Sequence, residues 1–242
     1  MEITKHPWLN IGAYALATLG CAVAVGTGRH GLEYVCKPAM MLILSSWFFF
    51  NSRRYGDRFT LLIQAGLFFS LIGDIALMFA DVDHFNFIIG LGAFLIAHLC
   101  YAMAFISNIT ATEGDGWVLG AGVSALIVLY AVFFALDLVP VLDETMVLPV
   151  VAYVCVIAFM GVTAAFRHTR TFPRSFWLVL VGAALFMVSD SLLATNRFVR
   201  PLSWAPAVII ITYAAAQLLI AFGALVHVLD PDTILRRRAL EA

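Results

Sequence analysis

Eight stretches of about 20 mostly apolar residues, joined by short polar connections, constrain this chain more than any other feature. A helix needs about that length to cross the hydrocarbon of a bilayer. With no water to bond there, backbone groups must pair within their own segment, so a helical bundle is the fold left open. The stretches run roughly over 8–27, 32–50, 59–80, 85–107, 117–138, 147–167, 174–195 and 204–229. Their connections carry turn formers: Gly28 and Gly31, Asn51-Ser52, Gly114 and Gly116, Pro140, Pro173 and Pro201. No soluble domain fits between them. The expectation is an all-α polytopic transmembrane bundle of eight helices, forming a single transmembrane domain over residues 1–242, multi-pass in the cell (inner) membrane. Composition agrees, with 63% hydrophobic and 12% charged residues, against about 45–50% and about 25% in soluble domains. A net charge of −1 gives no basis for a nucleic-acid partner.

The first stretch reads as a helix that stays rather than a cleaved signal. Lys5 is offset by Glu2, and the apolar run of about 19 residues is long for a signal core. Cys21, Cys36, Cys100 and Cys155 all lie in apolar stretches without a C-x-x-C pair, and read as packing residues. Orientation follows from the Lys and Arg of the connections. Ten of the 14 fall on the N-terminal side: Lys5, Arg53, Arg54, Arg58, Arg167, Arg170, Arg174 and Arg236-Arg237-Arg238. Arg29, Arg197 and Arg200 fall on the other side with Asp81, Asp83, Asp143 and Glu144, and Lys37 stays in the membrane. Both termini are therefore expected in the cytoplasm.

Polar residues inside the stretches point to a site. Asp74 in Ser70-Leu71-Ile72-Gly73-Asp74 is echoed by Asp190 in Val188-Ser189-Asp190. Intramembrane acids are costly and mark function. Their separation, with four helices between equivalent points, predicts a parallel repeat of four helices each, the acids facing one another. Lys37-Pro38 in the second helix offers a counter-ion, a phosphate clamp or a side chain reaching for the interface. His98 and Tyr101 share a face of the fourth helix, Tyr213 and Gln217 a face of the eighth. At about 1.5 Å per residue, Asp74 and Asp190 lie about 9 Å from the outer helix ends, Lys37 about 8 Å and His98 and Gln217 about 18 Å. Side chains lean toward their own helix N-terminus, which brings the two sets together. Two carboxyls in a low dielectric do not both carry charge, so the pair offers an acid beside a base.

These motifs resemble those of the YhhN family of integral membrane proteins, over roughly residues 8–225. Lys37-Pro38, Gly73-Asp74-x-x-Leu77, His98-x-x-Tyr101, Ser189-Asp190-x-x-Leu193-Ala194 and Tyr213-x-x-Ala216-Gln217 occur in the family's order and spacing. The resemblance implies a lysoplasmalogenase, an ether hydrolase of lipid metabolism. Such an enzyme cleaves the vinyl ether of a lysophospholipid substrate to a fatty aldehyde and glycerophosphocholine or glycerophosphoethanolamine, without a cofactor. Asp74 and Asp190 would be catalytic, as the carboxylate pair is in glycoside hydrolysis. Lys37 or His98 would hold the phosphate, and Tyr101, Tyr213 and Gln217 would position water. Membrane lipids are the other expected partners; oligomeric state is left open.

The competing reading is a proton-coupled transporter of a lipid or small amphiphile built on the same acids. It predicts gradient-dependent uptake and no bond cleavage. An intramembrane aspartyl protease fits less well, because Leu71 stands where that motif has its first Gly. His98 is the one mid-membrane His and His227 lies near a helix end, so no metal is assigned.

Overall fold

The computed structural model describes residues 7–53, 56–111 and 115–229. Lys5, Arg54, Gly114 and the Arg236-Arg237-Arg238 triplet, all used in the sequence reading, lie outside them. Among the described residues there are eight α-helices and no strand: α1 (Pro7–Gly26), α2 (His30–Ser52), α3 (Arg58–Met78), α4 (His84–Ala111), α5 (Trp117–Leu138), α6 (Glu144–Ala165), α7 (Pro173–Ala194) and α8 (Ala205–Val228).

The helix ends follow local chemistry. Asp57 caps α3 by accepting from the Thr60 backbone N–H at 2.9 Å. Pro173 opens α7 at its first position, where a missing N–H costs nothing. A 3₁₀ turn over Val139–Val141 carries Pro140 after α5, and a π turn over Thr195–Val199 ends α7.

Seven of the eight helices are long and apolar enough to cross a membrane, so the chain is a multi-pass membrane protein. The exception is α2, which carries His30, Glu33, Lys37 and Asn51. At about 1.5 Å per residue its 23 residues still reach about 34 Å. Of its polar residues, Lys37 is turned inward and only 8% exposed, while His30 is exposed and pairs with Glu33 near the helix start.

The closest helix pairs are α3 with α4 and α7 with α8. Glycines allow that approach: a Cβ on Gly66 would stand 2.3 Å from the Tyr101 ring, and one on Gly182 would stand 3.0 Å from the Ala216 carbonyl oxygen. Around these pairs α1 packs on α2 and α8, α2 on α3, α4 on α6, and α6 on α7. The main core draws fully buried residues from every helix but α5, which lies on α6 through Ala131, Val154 and Ala158.

Arg167 also departs from expectation. Counted as a loop charge, it is wholly buried just past α6. Its Nε donates to Asn108 Oδ1 at 2.9 Å, an Nη donates to Ser175 Oγ at 3.0 Å, and the guanidinium sits over the Phe105 ring. Burial pushes its pKa down to about 9. It ties α4 to α7 at the end of the bundle opposite the acids.

Candidate active site

The structure sorts the seven residues singled out from sequence into two groups. The first is a buried chain of hydrogen bonds. Tyr101 on α4 donates its hydroxyl to Gln217 Oε1 on α8 at 2.7 Å. Gln217 Nε2 donates to the Tyr213 hydroxyl one turn away at 3.3 Å. Tyr213 donates to Asp74 Oδ2 on α3 at 2.6 Å, and Lys37 Nζ on α2 stands 3.7 Å from Asp74 Oδ1. All five side chains are buried. Such a network is stable only when its members satisfy one another, and it then rigidifies the helices it joins. Pro38 follows Lys37 directly and removes a helical N–H at that level of α2. Of the roles open to Lys37, its position fits the counter-ion.

The second group surrounds Asp190 on α7. Tyr153 on α6 donates its hydroxyl to Asp190 Oδ2. His98 on α4 is fully buried, with Nε2 3.9 Å from the same oxygen and neither ring nitrogen hydrogen-bonded. Its ring meets Tyr153 edge-on at 5.4 Å and Phe186 at 4.5 Å. Phe186 touches Tyr213 with its ring at 5.4 Å, so it stands between the two groups. No hydrogen bond joins Asp74 to Asp190.

The groups differ in what they face. Asp74 is 2% exposed. Asp190 lines an incompletely closed cavity between α4, α5, α6 and α7. Tyr153 lines it too, and the rest is almost wholly apolar, with Leu91, Phe94, Ala131, Phe134 and Ile157 among its walls. A carboxyl with one hydroxyl partner, set in an apolar slot, suits proton transfer to a substrate that brings a long hydrocarbon chain. Among the described residues no group of three His, Cys, Asp or Glu is placed to hold a metal ion.

A model described as the YhhN family matches residues 32–224. The chain belongs to the YhhN family. Its curated relatives include the lysoplasmalogenase TMEM86B of Rattus norvegicus, 34% identical over 190 residues, which are 78% of this chain and 71% of the relative. The human protein of the same name is also 34% identical, over 78% of this chain and 73% of its own length. A lysoplasmalogenase of Mycobacterium tuberculosis is 33% identical over 145 residues, 57% of this chain and 50% of that one. No solved structure matches. The matched span takes in both acid groups and all seven residues singled out.

Sequence reasoning missed Tyr153, which it had no reason to separate from other aromatics of an apolar stretch. A signal was nevertheless present: Tyr153 follows Lys37 at the interval that separates Asp190 from Asp74.

Proposed function

We propose that this YhhN-family protein is a membrane-embedded ether hydrolase acting on lysoplasmalogens. It would release a fatty aldehyde and glycerophosphocholine or glycerophosphoethanolamine. The observation that carries the reading is an aspartate, Asp190, on the wall of an apolar cavity in a chain whose relatives are named lysoplasmalogenases.

The chemistry needs little beyond that. A carboxylic acid gives its proton to the β-carbon of the vinyl ether. The double-bond electrons form the new C–H bond, leaving an oxocarbenium ion across the α-carbon and the ether oxygen. The carboxylate left behind faces this cation, as in glycoside hydrolysis. It then takes a proton from water as the water oxygen bonds to the α-carbon. The hemiacetal collapses as its hydroxyl loses a proton and the glycerol oxygen gains one, giving aldehyde and alcohol. Across the cycle one water is consumed and the acid is restored. Asp74 and Asp190 are the acids available for these roles. Lys37, His98, Tyr101, Tyr213 and Gln217 orient them and fix the pocket. The apolar cavity takes the alkenyl chain and leaves the head group toward the outer interface. The chain sits in the cell membrane with both termini cytoplasmic, and needs no cofactor.

The test is aldehyde release from a lysoplasmalogen by the purified protein in detergent, beside Asp74→Asn, Asp190→Asn and a saturated-ether lysolipid. Expected are aldehyde from the vinyl ether only and its loss with the acids. Full activity in both Asn variants, correctly folded, would remove the mechanism. Proton flux in liposomes without cleavage would favour the transporter.

A further inference from the structure

One interval, 116 residues, recurs through the molecule. It separates Asp74 from Asp190, Lys37 from Tyr153, Tyr14 from Tyr130 and Gly66 from Gly182. It also separates Tyr101 from Gln217 and Asp81 from Arg197. Shifted by that interval, α3 (Arg58–Met78) coincides with α7 (Pro173–Ala194) to within a residue at each end. The last two pairs touch: Tyr101 donates to Gln217 at 2.7 Å, and Arg197 donates to Asp81 at 2.7 Å. Under a twofold operation a residue meets its own counterpart only near the axis. Two such meetings at one interval, at different depths of the bundle, define an axis between α3–α4 and α7–α8.

Helix neighbours obey the same operation. The contacts of α1 with α2, α2 with α3, α3 with α4 and α2 with α8 have counterparts in α5 with α6, α6 with α7, α7 with α8 and α6 with α4. Two relations break: α3 meets α8 without a comparable contact of α7 with α4, and the second is larger. α1 packs along α8, where buried Tyr14 donates to the Ala214 carbonyl at 2.8 Å, whereas α5 has no comparable contact with α4. Its counterpart Tyr130 is 43% exposed and donates to Ser191 on α7 instead. The cavity lies in the gap this leaves, between Leu91 of α4 and Ala131 and Phe134 of α5, with Asp190 and Tyr153 on its wall.

The two half-sites have diverged to match. Lys37 and Tyr153 occupy equivalent positions, and each binds the aspartate of its own half. Lys37 brings a formal charge to its aspartate, whereas Tyr153 brings a hydroxyl. The first half is closed around an ion pair, and the second is open, with the Tyr153 hydroxyl and the His98 ring beside its acid.

We infer that the chain is a duplicated four-helix unit in which only the second copy is a working site: Asp190 is the acid that meets the substrate, Tyr153 is its positioning residue, and Asp74 with Lys37 is the closed counterpart that braces it. Asp190 then serves as proton donor and, once ionised, as base toward water. This rests on the vinyl-ether hydrolase reading.

The test reads access as well as turnover. Full-length protein in detergent is treated with dicyclohexylcarbodiimide, an apolar reagent that adds to protonated carboxyls, and the adduct is mapped by mass spectrometry. Label is expected on Asp190 and not Asp74, reduced at least about fivefold by a saturated 1-O-alkyl lysophosphocholine that fills the cavity without being cleaved. Label on Asp74 at an equal or greater rate, or none on Asp190, overturns the inference. This readout needs no catalysis, so it stands apart from the hydrolase reading, which fails if wild type releases no aldehyde. For Tyr153, Tyr153→Phe keeps the ring and loses the hydroxyl. On lysoplasmalogen, kcat should fall about tenfold or more while KM stays within about twofold and thermal unfolding is unchanged. An unchanged kcat, or a loss matched by lower stability, overturns the role of Tyr153.

Discussion

α1 and α5 occupy corresponding places, and the contrast between them explains why a cavity opens beside Asp190 while Asp74 is packed round. Both are long, apolar and largely turned away from the bundle. α1 nevertheless sends Tyr14 into the core to bind α8, while α5 contributes no fully buried residue to that core and leaves a gap beside α4. The polar groups behind them differ less: each half holds an intramembrane aspartate with one partner from the helix before it. In the proposed reading, a buried acid becomes a site where packing leaves room for a substrate and where its partner brings no formal charge.

The largest expected effect is on Asp190. Asp190→Asn should lower kcat for aldehyde release by at least about 10²-fold, with thermal stability close to wild type. Near-normal turnover in that variant would erase the distinction between the halves. Asp74→Asn should act first on the fold, because it leaves Lys37 buried without its carboxylate, costing about 3 kcal/mol. Adding Lys37→Met should restore most of that loss in a denaturation experiment. A double variant no more stable than the single one would show that Lys37 and Asp74 are not a coupled pair.

The close crossings should be sensitive in both halves. Gly66→Ala drives a methyl into the buried Tyr101 ring, and Gly182→Ala drives one against Ile220 and the α8 backbone. Each should cost about 1–3 kcal/mol, measured as a lower unfolding midpoint; tolerance at one crossing alone would mean that the halves pack differently there. The smallest contrast is between the two tyrosines of α1 and α5. Tyr14→Phe loses a buried hydrogen bond and should cost about 1 kcal/mol, while exposed Tyr130→Phe should cost less than about 0.5 kcal/mol. Equal losses would place Tyr130 in a packed interface.

Much of the bundle was legible because lipid imposes a simple rule on sequence: about 20 apolar residues and a turn, repeated. The observed helices begin and end within a few residues of the stretches read from sequence. α2 shows where that rule thins. One of the charges that lower its hydropathy, Lys37, serves the interior, which composition does not reveal. The site residues stood out because a polar side chain in an apolar stretch has to be accounted for. Tyr153 did not stand out, since tyrosine is common in such stretches, and its hydroxyl acquires meaning only once α6 is laid against α7. Arg167 was misjudged for the complementary reason: just past a helix end it reads as a loop charge, and only the meeting of Asn108, Ser175 and Phe105 around it makes it interior.

By itself, then, the sequence determined the helical bundle, the multi-pass character and which polar residues needed explaining, because each of these depends on the cost of placing a group in lipid at a given position along the chain. Only the tertiary structure decided how those residues divide. Whether an aspartate meets an ammonium or a phenol, and whether it faces packed side chains or a cavity, depends on which helices touch. That is set by side chains far apart in the chain, down to a glycine that lets two helices close and a helix, α5, that leaves its neighbour uncovered.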